Sequence, residues 1–403
     1  MSTIVIAGAG LAGGSAAKTL REQGYGGNVV LIGDEPGVPF GRPPLSKTYL
    51  RGEESLDAWL VKLPARVDFI HDTVTRIDTA QRSLTLGSGS AAGYDQLLIA
   101  TGGHNRKLDV AGAGLDGIHQ LRTVADCDAI RHVARAGARA VVVGMGFIGC
   151  EVAASLRQLG LSVTAVFPGK APLDSVLGPE MGEVMASIHR DQGVELIPRD
   201  EVVRFEGRDR VERAVTKSGR AIDCDLAVVA VGIQPNTGML EGTRVAIDNG
   251  ILVDVRCRTN VPGVFAAGDV ANHQHPLFGR VRVEHYNNAE KHGIFAARAM
   301  LGSDEEYAYL HTFWSDQYTH KLEYAGHARR WDAFVVRGSL EERRLVGFYL
   351  AGGVVRAAVG FDRGGDPELE PGSEMAKAAR LVARQARCSA PDLEDEDNDL
   401  ALL

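Results

Sequence analysis

A short apolar strand, a glycine turn and a helix occur twice in this chain, and no other feature limits its fold as much. Residues 3–7, TIVIA, lead into Gly8-Ala9-Gly10-Leu11-Ala12-Gly13, and residues 139–143, RAVVV, lead into Gly144-Met145-Gly146-Phe147-Ile148-Gly149. In each turn the first glycine permits the tight bend, the second lets backbone approach a pyrophosphate, and the third lets helix pack on strand. A helical stretch then runs from Ser15 to Gln23 in the first copy and from Glu151 to Leu159 in the second, closed by Gly24 and Gly160. NVVLI at 28–32 and SVTAVF at 162–167 supply the next strands. Strand, turn, helix and strand within ~30 residues make a βαβ unit. The helix start offers free N–H groups and positive dipole to a phosphate. Two such units ~135 residues apart predict two nucleotide-binding domains, since solenoid repeats recur every ~20–50 residues.

Between and after the units the pattern changes. Residues 65–99 and 200–232 alternate as β-meanders that each return to a core strand, ILVD and VFAAGD read as further strands, and 280–301 reads as a helix. From 311 on, FWSDQY, KLEYAG, WDAFVVRG, RLVGFYL and VVRAAVGF are strand-like, and Glu374 to Ala386 is helical. The expected fold class is α/β: two Rossmann-like dinucleotide-binding domains plus a C-terminal α+β domain. The expected boundaries are 1–109 with 241–310 for the first domain, 110–240 for the second, 311–390 for the third, and an acidic disordered tail at 391–403.

Composition narrows the function classes. At 45% apolar and 24% charged residues the 403-residue chain is an ordinary globular protein. The tail holds six acids and no base, so of the net charge of −8 only −2 belongs to the body. A nearly neutral body excludes nucleic acid as a partner, because phosphate affinity needs clustered Lys and Arg. Five scattered cysteines with no C-x-x-C give no support to a redox dithiol or a metal site, and none is expected. The first residues lack a basic leader and no apolar run reaches ~18 residues, so a cytoplasmic protein without a membrane partner is expected.

Other residues sharpen the nucleotide reading. Asp34 follows Gly13 by 21 residues, at the strand end where a ribose-binding acid belongs. The second unit has no such acid; its strand runs into Phe167-Pro168-Gly169-Lys170, and Lys170 is either a nucleotide contact or a solvated loop cation. IATGG at 99–103 and TNVPGVFAAGD at 259–269 end strands in small residues. Asp269 either accepts from a sugar-alcohol hydroxyl or caps the helix that follows.

The two units, the ATGG segment and TNVPGVFAAGD together resemble the two-dinucleotide flavoprotein oxidoreductases. PFGRPPLSKTYL at 39–50, GFIGCE at 146–151, HPLFGRVRVEHYNNA and FWSDQY are similar to the FAD-dependent ferredoxin reductases that serve bacterial ring-hydroxylating dioxygenases and haem-thiolate monooxygenases. Rubredoxin reductases and apoptosis-inducing factor are relatives, and the resemblance spans residues 1 to about 388. Disulfide reductases of the superfamily carry redox cysteine beside the flavin; here that stretch is GRPPLSK, with Lys47 and no thiol.

The resemblance implies an FAD site of Gly8, Gly10, Ala12, Gly13, Asp34, Arg42, Lys47, Val74, Ala100, Arg122, Asp269 and Tyr286. It implies a nicotinamide nucleotide site of Gly144, Gly146, Phe147, Ile148, Gly149, Glu151, Lys170 and Gly232, for NADH with NADPH possible. Lys47, Glu151 and Trp314 are the expected catalytic residues: Lys47 and Glu151 pairing when the nicotinamide enters, Trp314 beside the flavin toward the acceptor. The implied activity is ferredoxin–NAD(+) reductase, passing hydride from NADH to FAD and then single electrons to a 2Fe-2S ferredoxin. Such ferredoxins are usually acidic, which suggests a docking face among Arg280, Arg282, Lys321, Arg329 and Arg330. Rival readings are an interaction protein like apoptosis-inducing factor, a rubredoxin reductase and a direct NADH oxidase; the oligomeric state is a monomer or homodimer.

Overall fold

The computed structural model describes residues 2–403. Its contacts gather into two compact units, one of residues 2–42, 56–104 and 233–311, the other of 43–55, 105–232 and 312–403. Among the described residues no helix is long and apolar enough to cross a membrane.

The first unit is built on a five-stranded parallel sheet in the spatial order Val264–Ala266, Gln96–Ile99, Thr3–Ala7, Asn28–Gly33, Val67–His71. Ile4, Val5, Ile6, Leu97 and Leu98 are fully buried, as strands covered on both faces must be. The helix Leu11–Glu22 follows the first strand and packs on the helix Tyr286–Met300. Their approach is close enough that a Cβ on Gly293 would lie 2.1 Å from the Ala12 carbonyl oxygen. An antiparallel meander, Val74–Asp78, Ser83–Leu86 and Ala91–Gly93, supplies Ile77, Leu84 and Leu86 to the core beside the sheet.

The second unit repeats the plan and extends it. Its parallel sheet runs Glu195–Pro198, Ser162–Phe167, Arg139–Val143, Leu226–Val229, Ile118–His119, with its own meander at Val202–Glu206, Arg213–Thr216 and Ala221–Asp223. A five-stranded antiparallel sheet follows: Thr312–Gln317, His320–Gly326, Val354–Phe361, Arg344–Ala351, Ala333–Ser339. The helix Glu374–Ala383, capped by Ser373, covers that sheet. Residues 43–55 belong here too, as a 3-10 turn Pro43–Ser46 and a short helix Thr48–Arg51.

Three expectations need correction. Both cradle helices begin earlier than expected, at Leu11 and Phe147, because the glycine turn supplies the first helical residues itself. The helix expected from 280 begins only at Tyr286; Gly279–Arg282 is a strand paired with Ala271–His275. The acidic tail is ordered, not disordered. Ala390–Glu394 is a helix capped by Ser389, and Leu393 and Leu400 are buried. The tail's order comes from cations of the preceding domain. Buried Arg337 donates to the carbonyls of Asp395, Glu396 and Asn398 while pairing with Glu374 at 2.9 Å. Arg363 pairs with Glu396 at 2.7 Å and Lys377 with Asp399 at 2.8 Å.

Removing Arg337 leaves three tail carbonyls and Glu374 with a lost partner. Arg337→Ala is expected to destabilise the protein by about 3 kcal/mol, the scale for breaking a buried pair. Lys377→Ala, at an exposed pair, is expected to cost less than about 1 kcal/mol. Urea unfolding midpoints of the two variants check this contrast.

Candidate active site

Each parallel sheet ends in a cradle of the same shape. In the first unit, Gly8 has φ +110°, and a side chain there would meet the Ala100 carbonyl oxygen at 2.3 Å. A Cβ on Gly13 would lie 1.9 Å from the Gly8 carbonyl oxygen. Gly10 differs: nothing lies within 4 Å of its Cβ position, and it caps the helix without a side-chain hydrogen bond. So the two outer glycines are fixed by packing, whereas the middle one leaves room beside the helix N–H groups. The second unit matches it. Gly144 has φ +94° against the Ala230 carbonyl oxygen at 2.4 Å, Gly149 would clash with Gly144 at 2.0 Å, and Gly146 is open and caps the helix Phe147–Gln158. An open cap with unbonded N–H groups fits a phosphate group.

The structure sorts the expected residues between the units. Gly8, Ala100, Asp34 and Asp269 all stand just beyond the carboxyl ends of neighbouring parallel strands, where nucleotides bind in such sheets. Asp34 is exposed, and Ala12 lies against Gly268 beside Asp269. Asp269 does not cap the 3-10 turn Gly268–Val270 but lies within it, and Ala267 holds the cap position. Tyr286 meets Trp59 edge-on at 5.8 Å, and burial pushes its phenol up. Arg42 pairs with Glu35 and lies over the Phe40 ring. Val74 is buried in the core at the start of its strand. Arg122 lies in the second unit, as do Lys47 and Trp314.

In the second unit Gly232 has φ +93° and its carbonyl accepts from Arg106 at 2.9 Å. Phe147 meets Phe313 edge-on at 4.8 Å, and Ile148 is exposed. Lys170 is exposed and its ammonium forms no ion pair among the described residues. Its backbone N–H and that of Ala171 donate to Asp174, at 2.7 and 3.2 Å.

At the centre of this unit Lys47 Nζ lies 2.7 Å from Glu151 Oε2, with both residues under 10% exposed. The sequence led to pairing on nicotinamide entry or to a structural salt bridge; here the two side chains are already paired, and the segment carrying Lys47 is bonded to the cradle helix. Ser155 Oγ donates to the Ser46 carbonyl at 2.7 Å, and Cys127 Sγ to that of Leu45 at 3.1 Å. Glu151 accepts two further hydrogen bonds, from Ser46 Oγ at 2.5 Å and Ser315 Oγ at 2.7 Å. Neither serine was singled out from the sequence. Both lie inside the quoted segments GRPPLSK and FWSDQY, and Ser315 alternates with Trp314 along one strand. Trp314 therefore faces the opposite side, where its indole bonds to Asp316. Burial pushes the Asp316 carboxyl up, against the pull of Lys47.

The cations suggested for a docking face are partly spent. Arg280 donates to the carbonyls of Val253 and Asn272, both at 2.8 Å. Arg282 pairs with Glu284 and donates to the Asp269 carbonyl, bracing that turn. Lys321 pairs with Glu323 at 2.9 Å. Arg329 and Arg330 are exposed.

The two glycine roles separate in a stability measurement. Gly149→Ala must displace the Gly144 backbone and is expected to cost at least about 2 kcal/mol. Gly146→Ala meets no atom, and its cost is expected to stay within about 1 kcal/mol. Chemical denaturation of both variants without added nucleotide tests this.

The pyridine nucleotide-disulphide oxidoreductase model matches residues 2–293, and a reductase C-terminal model matches 312–403. The chain is 35% identical to the biphenyl dioxygenase system ferredoxin–NAD(+) reductase component of Paraburkholderia xenovorans, over 99% of this chain and 98% of that one. It is equally close to rhodocoxin reductase of Rhodococcus erythropolis, over 99% and 94%. Among solved structures it resembles the ferredoxin reductase for the CYP199A2 system of Rhodopseudomonas palustris, with TM-score 0.93, 31% identity and coverage of 100% and 99%. The reductase in the covalent putidaredoxin reductase–putidaredoxin complex is similar too, with TM-score 0.92, 31% identity and coverage of 99% and 97%. With both cradles in place and the two models together matching most of its length, the chain belongs to the pyridine nucleotide-disulphide oxidoreductase family, and is a reductase that uses a flavin and a pyridine nucleotide.

Proposed function

We propose that this protein is a ferredoxin–NAD(+) reductase: it oxidises NADH through FAD and reduces a 2Fe-2S ferredoxin that feeds an oxygenase. One observation carries the choice of acceptor. In a family named for disulphide chemistry, the GRPPLSK segment presents Ser46 and Lys47 to Glu151, with no thiol on it. The five cysteines are unpaired, and burial pushes all five thiols up, Cys127 to about 12. Electrons therefore leave to an acceptor outside the chain. Relatives named as ferredoxin–NAD(+) reductases, and one solved in covalent complex with putidaredoxin, support a ferredoxin in that role.

The flavin, when bound, supplies hydride acceptance and one-electron delivery; the protein supplies orientation and charge. In this reading Gly8, Gly10, Ala12 and Gly13 present backbone to the FAD pyrophosphate and Asp34 accepts from the adenosine ribose. Arg42, Val74, Ala100, Asp269 and Tyr286 line the rest of that site. The FAD domain expected at 1–109 with 241–310 falls mostly in the first unit, and the NADH domain expected at 110–240 mostly in the second. Gly144, Gly146, Phe147, Ile148 and Gly149 receive the nicotinamide nucleotide's phosphates, with Lys170 and Gly232 at the neighbouring strand ends. Lys47 places a buried cation where negative charge develops, and Glu151 holds it there.

Purified protein is expected to be yellow, with one non-covalent FAD, and to turn over NADH with a higher kcat/KM than NADPH. A higher value with NADPH would reassign the nucleotide, with unpaired Lys170 as the residue to vary. Steady-state kinetics with both nucleotides decides it.

Trp314 faces away from Ser315 and Glu151, so the acceptor side and the hydride side use different walls. Trp314→Ala is expected to lower turnover with a 2Fe-2S ferredoxin while ferricyanide reduction stays near wild type, since a small open acceptor needs no docking. Equal loss with both acceptors would make Trp314 a support for the flavin or the core, and the exit route wrong.

A further inference from the structure

Glu151 is the end of a buried hydrogen-bond chain that crosses the second unit. Ser315 Oγ, 2.7 Å from Glu151 Oε1, is itself 3.2 Å from Gln317 Nε2. Gln317 Oε1 is 3.0 Å from His189 Nε2, and His189 Nδ1 is 3.0 Å from the Tyr318 hydroxyl. His189, Gln317, Ser315 and Glu151 are each under 5% exposed.

The donor types fix every direction. Gln317 Nε2 can only donate, so the Ser315 oxygen accepts from it and turns its one hydrogen to the carboxylate. Gln317 Oε1 can only accept, so His189 carries its hydrogen on Nε2. That leaves His189 Nδ1 to accept from Tyr318. Burial holds His189 neutral, with its pKa lowered to about 4, and pushes the Tyr318 phenol up. Four donors in series thus point at one glutamate, and each polarises the next.

We propose that Tyr318, His189, Gln317 and Ser315 are positioning residues that set how much of the Lys47 charge Glu151 neutralises. A hydroxyl polarised by the chain disperses negative charge on Glu151 Oε1. The carboxylate then withdraws less of the Lys47 field, and the pair leaves a net positive potential for the negative charge of a reduced cofactor. Truncating the chain concentrates charge on Glu151 and cancels Lys47 more fully. The Gln317 amide cannot pass a proton along without leaving its stable tautomer, so the chain acts by polarisation. Lys47, Glu151, Ser46, Ser315, Gln317, His189 and Tyr318 all belong to one compact unit. The proposal rests on the reading of Lys47 and Glu151 as the charge pair of the flavin site.

The test uses the flavin-loaded protein and three readouts. Nitrogen-resolved NMR of the histidine rings, with His189→Gln to assign the signal, is expected to show His189 neutral and protonated on Nε2 near pH 7. Ser315→Ala and Gln317→Leu are expected to lower the flavin's midpoint potential by about 20–40 mV. That is roughly a five- to twentyfold change in equilibrium constant at 29.6 mV per tenfold for a two-electron couple. The rate constant for reduction by NADH should fall with it, with KM and flavin content unchanged. His189→Gln, whose Nε2 can still donate toward Gln317, is expected to restore most of what His189→Leu loses; a residue that merely fills space would show no such rescue. A His189 ring protonated on Nδ1, or wild-type potentials in Ser315→Ala and Gln317→Leu while Lys47→Ala shifts the potential, overturns the chain. An unmoved potential in Lys47→Ala as well overturns the charge-pair reading and the chain's role with it. The His189 tautomer still reports separately whether the chain is formed.

Discussion

A lysine and a glutamate buried together make the second unit costly to assemble in any other way. Removing two charges from water costs several kcal/mol per ion, and their mutual attraction offsets this only with good geometry and further hydrogen bonds. Here those bonds come from two segments, Ser46 beside Lys47 and Ser315 on the strand Thr312–Gln317, and tie both to the cradle helix that carries Glu151. Each donor lies where its backbone is also tied down, as Ser155 ties the Ser46 carbonyl. The ion pair thus demands that residues 43–55 and the C-terminal sheet share one compact unit with the helix Phe147–Gln158, and the contacts divide the chain that way.

The duplicated cradle is held by a different kind of constraint. Its outer glycines are dictated by contact with carbonyl oxygens at under 2.5 Å from any added carbon, so they would be required even if nothing were bound. The middle glycines, Gly10 and Gly146, meet nothing, and their lack of a side chain has no explanation in packing. That asymmetry is the strongest local argument for a ligand, because a cap that bonds no side chain leaves helix N–H groups unmatched.

Local rules made the cradles legible, and longer-range chemistry hid the rest. Spacing alone located both strand–turn–helix units and the acid Asp34, because each depends on residues within one unit. The starts of the helices at Leu11 and Phe147 were missed because glycine-rich turns read as loop until packing shows otherwise. The acidic tail carried every sign of disorder, and only tertiary structure shows Arg337, Arg363 and Lys377 matched to it. The serines on Glu151 were in plain view within recognised motifs. Hydroxyl residues are too common to single out, and the separations of 105 and 164 residues from Glu151 leave no periodic trace. His189 is harder still, since it stands in a helix whose sequence shows only an amphipathic pattern.

The same unit shows why thiol chemistry has no place near this pair. Cys150 precedes Glu151 in the helix, fully buried, and both burial and the adjacent carboxylate push its thiol up. Cys127 gives its hydrogen to the Leu45 carbonyl, two residues from Lys47, and its thiol is raised to about 12. A thiol becomes a nucleophile only as the thiolate, which needs a nearby cation or helix N-terminus to lower its pKa. Lys47 could supply that cation, yet its charge is already shared with Glu151 and its neighbours. The arrangement commits the lysine to a carboxylate instead of a sulfur.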